Sequence, residues 1–195
     1  MERHAVVDMG AYPGSGGSIG GTVVVQAHSG SLHIFGFITG LEPAVSGGWH
    51  IHSGFSCDSH DLVGGHYFSG TDDWLSVQYT SDTNGVAELS LSISGYSLHE
   101  SMPVAGRALV VHSSSSTGGA RVGCGVIEPA KAEIALIGRY PGYTGPESVH
   151  GLLTMSDSAG GLMIKGTLTG LEKNKRGGWH VHSGAVYGPL PFRVS

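Results

Sequence analysis

Gly47-Gly48-Trp49-His50-Ile51-His52-Ser53-Gly54 returns almost unchanged as Gly177-Gly178-Trp179-His180-Val181-His182-Ser183-Gly184, with 130 positions between His50 and His180. Ile51 and Val181 are β-branched and favour extended chain. In a strand, alternate side chains share a face, so each histidine pair stands on one side, about 6 to 7 Å apart at Cα. Two imidazoles at that spacing reach a single metal ion.

Two more landmarks repeat at nearly the same interval. Tyr12-Pro13-Gly14 recurs as Tyr140-Pro141-Gly142, and Gly36-Phe37-Ile38-Thr39-Gly40-Leu41-Glu42 recurs as Gly166-Thr167-Leu168-Thr169-Gly170-Leu171-Glu172. Three landmarks in one order are an internal duplication. Residues 1–130 are expected to form a complete domain, with a boundary at Glu128-Pro129-Ala130-Lys131-Ala132-Glu133. Residues 131–195 follow the first copy only to Gly184, so they are expected to be the truncated N-terminal half of a second repeat. Whether that half stands alone, borrows strands from another copy, or belongs to a longer array is left open by the sequence.

Composition sets the class. Glycine stands at 34 of 195 residues and charged residues at 13%, against a usual charged share of about 25%. Apolar runs such as Ala108-Leu109-Val110-Val111 are of strand length, and no window holds a helical period. Candidate strands are 22–27, 32–39, 48–52, 75–79, 87–93 and 107–112, with 123–127 closing, and Asp82-Thr83-Asn84-Gly85 reads as an Asn-Gly turn between alternating runs. Ser113 to Gly119 reads as a loop. The expected fold is all-β, a Greek-key sandwich or flattened barrel with a partial second copy.

Charge divides unevenly: residues 1–130 hold 3 basic and 11 acidic side chains, and 131–195 hold 7 and 4. No basic stripe suggests nucleic acid, and no apolar run approaches the roughly 18 residues of a membrane span. The N-terminus shows no apolar signal segment.

His50, His52, His66 and His112 are the candidate ligands. Four imidazoles with an open or planar arrangement suit Cu(II), which heads the divalent affinity order at nitrogen sites. On residue type alone, His66 and His112 read equally well as ordinary loop histidines.

The order of motifs then narrows the reading. Gly-x-His-x-His at 48–52, Cys57, His66, Gly106-Arg107-Ala108-Leu109-Val110-Val111-His112 and Arg121-Val122-Gly123-Cys124-Gly125-Val126-Ile127 resemble the copper/zinc superoxide dismutase family across most of residues 6–128. The resemblance implies that His50, His52, His66 and His112 are copper ligands, with His66 in the place of the family's bridging imidazolate. It implies that Arg121 guides the anion and that Cys57 pairs with Cys124. Two departures stand out. Between His66 and Gly85 there is no histidine, Asp72 and Asp73 being the main ionisable groups, and only eight residues separate His112 from Arg121. The family's zinc ligands and its long charged loop are therefore missing, and no zinc is expected. Both losses resemble the copper-only branch, and the duplication resembles its repeat proteins.

The expected activity is disproportionation of superoxide, the small-molecule substrate. His66 would carry the proton, with Asp72 or Asp73 orienting its second nitrogen, and Arg121 would hold the anion at short range. The competing expectation is a copper-buffering repeat module without turnover, which would have no need of Arg121. His180 and His182 form a partial site in the second copy, with no downstream partners in the chain. A Cys57–Cys124 disulfide would place the protein in an oxidising, extracellular setting, and the absent signal segment would then make Met1 something other than the start of the secreted chain.

Overall fold

The computed structural model describes residues 4–114 and 119–183. Its first body is one antiparallel sheet that nearly closes on itself. The strands in chain order are β1 His4–Ala11, β2 Gly20–His28, β3 Ser31–Thr39, β4 Ser46–Ile51, β5 Gln78–Thr80, β6 Ala87–Ser94, β7 Ala108–Ser114 and β8 Arg121–Val126, with a two-residue β9 Glu128–Pro129 beside β1. They pair in the order β5-β4-β7-β8-β1-β2-β3-β6. The β3–β4 and β6–β7 links therefore cross between the two ends of the strand path, as in a Greek key.

Alternation explains the burial. Ala5, Val7 and Met9 of β1, Val23 and Val25 of β2, and Leu32, Ile34 and Ile38 of β3 point inward. They meet Trp49, Ile51, Leu89, Leu109 and Val111 from the rest of the sheet in one core. Each valine, leucine, isoleucine or methionine among them contributes about 1.5 to 3 kcal/mol when fully buried.

The second body, β10 Glu133–Ile137, β11 His150–Ser158 and β12 Gly161–Thr169, is a separate three-stranded sheet. It repeats β1 to β3 pair for pair: Gly21 lies opposite Ile38 and Gly151 opposite Leu168. Gly36 at φ 159° and Gly166 at φ 152° each sit so close to a neighbouring strand that a Cβ would meet backbone, at the Thr22 and Leu152 carbonyls. Only glycine tolerates both the dihedral and the approach. This sheet lays its outer face on the outer face of the first: Leu152 is fully buried against Val24 and Phe37, with Ile134 packed beside them. An exposed Lys165–Asp8 pair at 3.5 Å crosses the seam.

Several expectations need correction. Residues 75–79 are not one strand. Asp72 accepts a hydrogen bond from the Trp74 amide, starting a 3₁₀ turn over Asp73–Ser76 that leaves only Gln78–Thr80 extended. The turn at Asp82 to Gly85 joins no hairpin, because β5 and β6 lie at opposite ends of the strand path. The Asp82 carboxylate bonds the amides of Asn84 and Val86, and that shapes a crossing rather than a tight reversal. β1 was not among the candidate strands, and His60–Val63 forms one helical turn, α1, capped by Ser59. The loop expected from Ser113 is strand as far as Ser114, while 115–118 lie outside the described residues. In the second copy the stretch matching β4 forms no strand up to Ser183, and Gly184 lies outside the described residues. β4 is held between β5 and β7, and among the described residues nothing occupies those flanks in the second copy.

Cys57 and Cys124 form a disulfide that closes 67 residues and ties the loop after β4 to β8. In the loop-entropy account such a closure is worth about 4 kcal/mol. Replacing both cysteines by serine should lower the melting temperature by roughly 10 °C, measured by calorimetry on the metal-free protein.

Candidate metal centre

The four candidate histidines arrive from three places. His50 and His52 follow each other around Ile51 at the end of β4; His112 is in β7, which pairs with β4; and His66 faces His52 across an isolated antiparallel bridge. Their ligand atoms all lie within 4.8 Å of one another. The structure thus brings all four together, and among the described residues this is the one group of three or more possible ligands so arranged.

The hydrogen bonds are selective about which nitrogen is used. His52 Nδ1 donates to the Gly64 carbonyl at 3.0 Å, His112 Nδ1 to the Gly119 carbonyl at 2.7 Å, and His66 Nδ1 to Asp72 Oδ2 at 2.7 Å. An oxygen acceptor fixes each ring as the Nδ1–H tautomer, with its lone pair on Nε2. Buried His50 Nδ1, His52 Nε2 and His112 Nε2 have no hydrogen-bond partner. Such orphans cost about 1 to 3 kcal/mol each, and three converging lone pairs are what a cation requires. The donor set fits a metal ion.

Electrostatics agree. Burial, helped by the neighbouring imidazoles, holds His50 down at about 3. Burial likewise lowers His52 to about 4, with Arg121 adding to the effect against the Gly64 hydrogen bond. His112 is lowered by burial and by Arg121. At neutral pH these rings are uncharged and ready to ligate.

The loop that carries His66 is fastened at many points. Gly54 and Val63 pair through backbone, Ser53 takes the Gly65 carbonyl, and Tyr67 N–H donates to Ile51 at 2.9 Å. The Arg107 guanidinium stacks 3.4 Å from the Tyr67 ring centroid and 4.6 Å from that of Phe55. Trp74, fully buried, donates its indole N–H to the Tyr67 carbonyl at 2.6 Å. Its own amide holds the other oxygen of Asp72. Asp72 is therefore the group that orients His66. Asp73 is not; it lies beside the Tyr96 hydroxyl at 3.3 Å.

Arg121 sits next to the cluster, opposite His112 in the β7–β8 register. Its Nη2 donates to the Gly64 carbonyl at 2.6 Å, the same oxygen that receives His52. Its Nη1 donates to the Tyr12 hydroxyl at 3.1 Å, which lies 3.2 Å from His60 Nδ1. Sequence reasoning missed Tyr12, His60 and Trp74. The Tyr-Pro-Gly repeat had flagged Tyr12 only as a landmark. His180 and His182 stand apart from the cluster, exposed, with ring centroids 6.3 Å apart.

These features define an all-β barrel with a preorganised four-histidine centre and an adjoining arginine. No family model matches the sequence, and comparison with curated proteins gives no match. Among solved structures the chain is similar to the clock protein EA4, at 22% identity and TM-score 0.54, over 66% of this chain and 96% of that one. At that identity the likeness is one of fold. The disulfide points to an oxidising compartment, and among the described residues no helix is long and apolar enough to cross a membrane.

The depressed histidines set a pH dependence for the metal-free protein. Unfolded chains take up protons below about 6.5, whereas folded His50 and His52 resist until about 3 and 4. Stability is thus whole above about 6.5 and is lost as pH falls through the window toward 4. Thermal melts of metal-free protein should show that decline between pH 7 and 4.5, and His50→Gln should flatten it.

Proposed function

We propose that this protein is a copper-dependent superoxide dismutase without zinc. The observation that carries the reading is the set of three buried, unpartnered imidazole nitrogens meeting His66 within 4.8 Å, with Arg121 alongside. The fold likeness and the motif order support it. His50 through Nδ1, and His52, His66 and His112 through Nε2, would hold copper, whose one-electron couple accepts an electron from one superoxide and returns it to a second.

The chain's own residues do the rest. Arg121 presents a fixed positive charge where an anion would approach, its fork anchored by the Gly64 carbonyl and the Tyr12 hydroxyl. A charge-assisted hydrogen bond there is worth about 1.5 to 3 kcal/mol. Around an acidic barrel that contact acts at short range, since screening removes longer steering beyond about 8 Å. His66 would be the proton carrier: with Nε2 not engaged by the metal it would take a proton from solvent and give it to the reduced oxygen species as peroxide forms, while Asp72 keeps Nδ1–H in place and stabilises the protonated ring. The zinc ligands of the resembling family have no counterpart after His66. Asp72, braced by Trp74, supplies the orientation that a second metal would give.

Copper-loaded protein should consume superoxide catalytically, measured by pulse radiolysis beside metal analysis. Copper uptake with no turnover would instead establish a buffering module. Arg121→Ala should keep copper and lose roughly 10- to 100-fold in turnover; equal rates would sink its role. Asp72→Asn should keep copper but slow the proton-dependent half of the cycle, read as a turnover that falls more steeply as pH rises. An unchanged pH profile would remove Asp72 from the mechanism.

A further inference from the structure

The second copy repeats more of the first than its sequence. His50 and His52 have ring centroids 6.3 Å apart, and His180 and His182 have the same separation. Two rings across one metal, each with a metal–nitrogen bond of about 2.0 Å and a ring radius of about 1.1 Å, span roughly 6 Å between centroids. The rings are inclined differently, at 25° in the first pair and 49° in the second, but the fold-back of the first ring is shared. The His50 ring folds back over Gly48, where a Cβ would lie 2.8 Å from Nε2. The His180 ring folds back over Gly178 in the same way, at 3.2 Å from Nε2 and 3.3 Å from Cε1. In the first copy that fold-back turns Nδ1 into the cluster. The approach to the pair is matched as well, since Ala44 and Asn174 take the same left-handed turn at φ 56° and 57°.

The surroundings differ. Trp49 and Ile51 are buried in the barrel, whereas Trp179 and Val181 are exposed at 60% and 73%. Both histidines of the second pair are open to solvent. From these observations we propose a second metal site on His180 and His182: an exposed two-imidazole site for Cu(II), with water completing the coordination. Imidazole donors and the affinity order select copper among the divalent ions. With two protein ligands and no buried orphan nitrogen, the site binds more weakly than the four-histidine centre and exchanges its ion freely. Lys173, Lys175 and Arg176 precede it where the first copy has Pro43, Val45 and Ser46. Their charge opposes a bare dication, so binding strengthens as salt screens them. This inference stands apart from the enzymatic reading, because it needs no turnover.

The test is Cu(II) titration of the full chain at pH 7.4, with uptake measured by equilibrium dialysis and ligand number by electron paramagnetic resonance. Wild type should take two equivalents. H180A/H182A should take one, with the four-nitrogen signal intact. H50A/H52A should retain one equivalent showing two nitrogens, weakening at low ionic strength. Should the four-histidine centre hold no copper, wild type takes one equivalent and H180A/H182A none, which overturns the proposed function and leaves this site standing. Equal uptake by wild type and H180A/H182A overturns the second site. Circular dichroism of H180A/H182A checks that the exposed substitutions leave the barrel intact.

Discussion

Burying a nitrogen lone pair without a partner is unfavourable, and the core of this protein does so three times at one point. His50 Nδ1, His52 Nε2 and His112 Nε2 are all enclosed and unbonded. Their cost of about 1 to 3 kcal/mol apiece is offset by the apolar barrel around them, where Trp49, Ile51, Leu109 and Val111 interleave with the histidines along β4 and β7. The alternation of the strand is what makes this possible. Ile51 faces inward as a core residue, and the imidazoles flanking it are delivered together to the opposite side.

The remaining ligand depends on a loop, and loops hold position only when fastened. Here the fastenings form a chain. The disulfide fixes Cys57, Arg107 clamps the ring of Tyr67, and Trp74 joins the Tyr67 carbonyl to the carboxylate of Asp72, which grips His66. Trp74 thus couples core packing, through its indole, to the orientation of one imidazole, through its backbone amide on Asp72.

Much of this was legible in the sequence, for reasons that can be named. The histidine spacing, the duplicated glycines and the strand-length apolar runs are local signals, and they gave the fold class, the His50/His52 pair and most of the strands around it; His66 and His112 joined the set through the order of motifs that carries the family resemblance. What escaped is non-local. Tyr12 bonds Arg121 from 109 residues away, and no spacing rule announces such a pair. Asp72 and Asp73 are indistinguishable as neighbours until the cap at Trp74 sends one toward His66 and the other toward Tyr96. The run at 75–79 alternates well enough for a strand, yet burying Trp74 and capping its amide demanded a turn. β1 was missed although Ala5, Val7 and Met9 alternate inward, because Asp8 and the nearby terminus diluted the pattern.

The two sheets meet through their outer faces, and the forces at that meeting are unequal. Lys165 and Asp8 are exposed, so their attraction is small and readily screened. The apolar part of the grip is Leu152 seated against Val24 and Phe37, beside His150 stacked on Phe37 and a His4 Nε2 to Ala132 carbonyl hydrogen bond at 2.6 Å. Attraction between apolar surfaces fades on cooling. Cooling therefore weakens the apolar part of the seam while screening of the ion pair costs it little, and the cross-link beside it acts within the barrel alone.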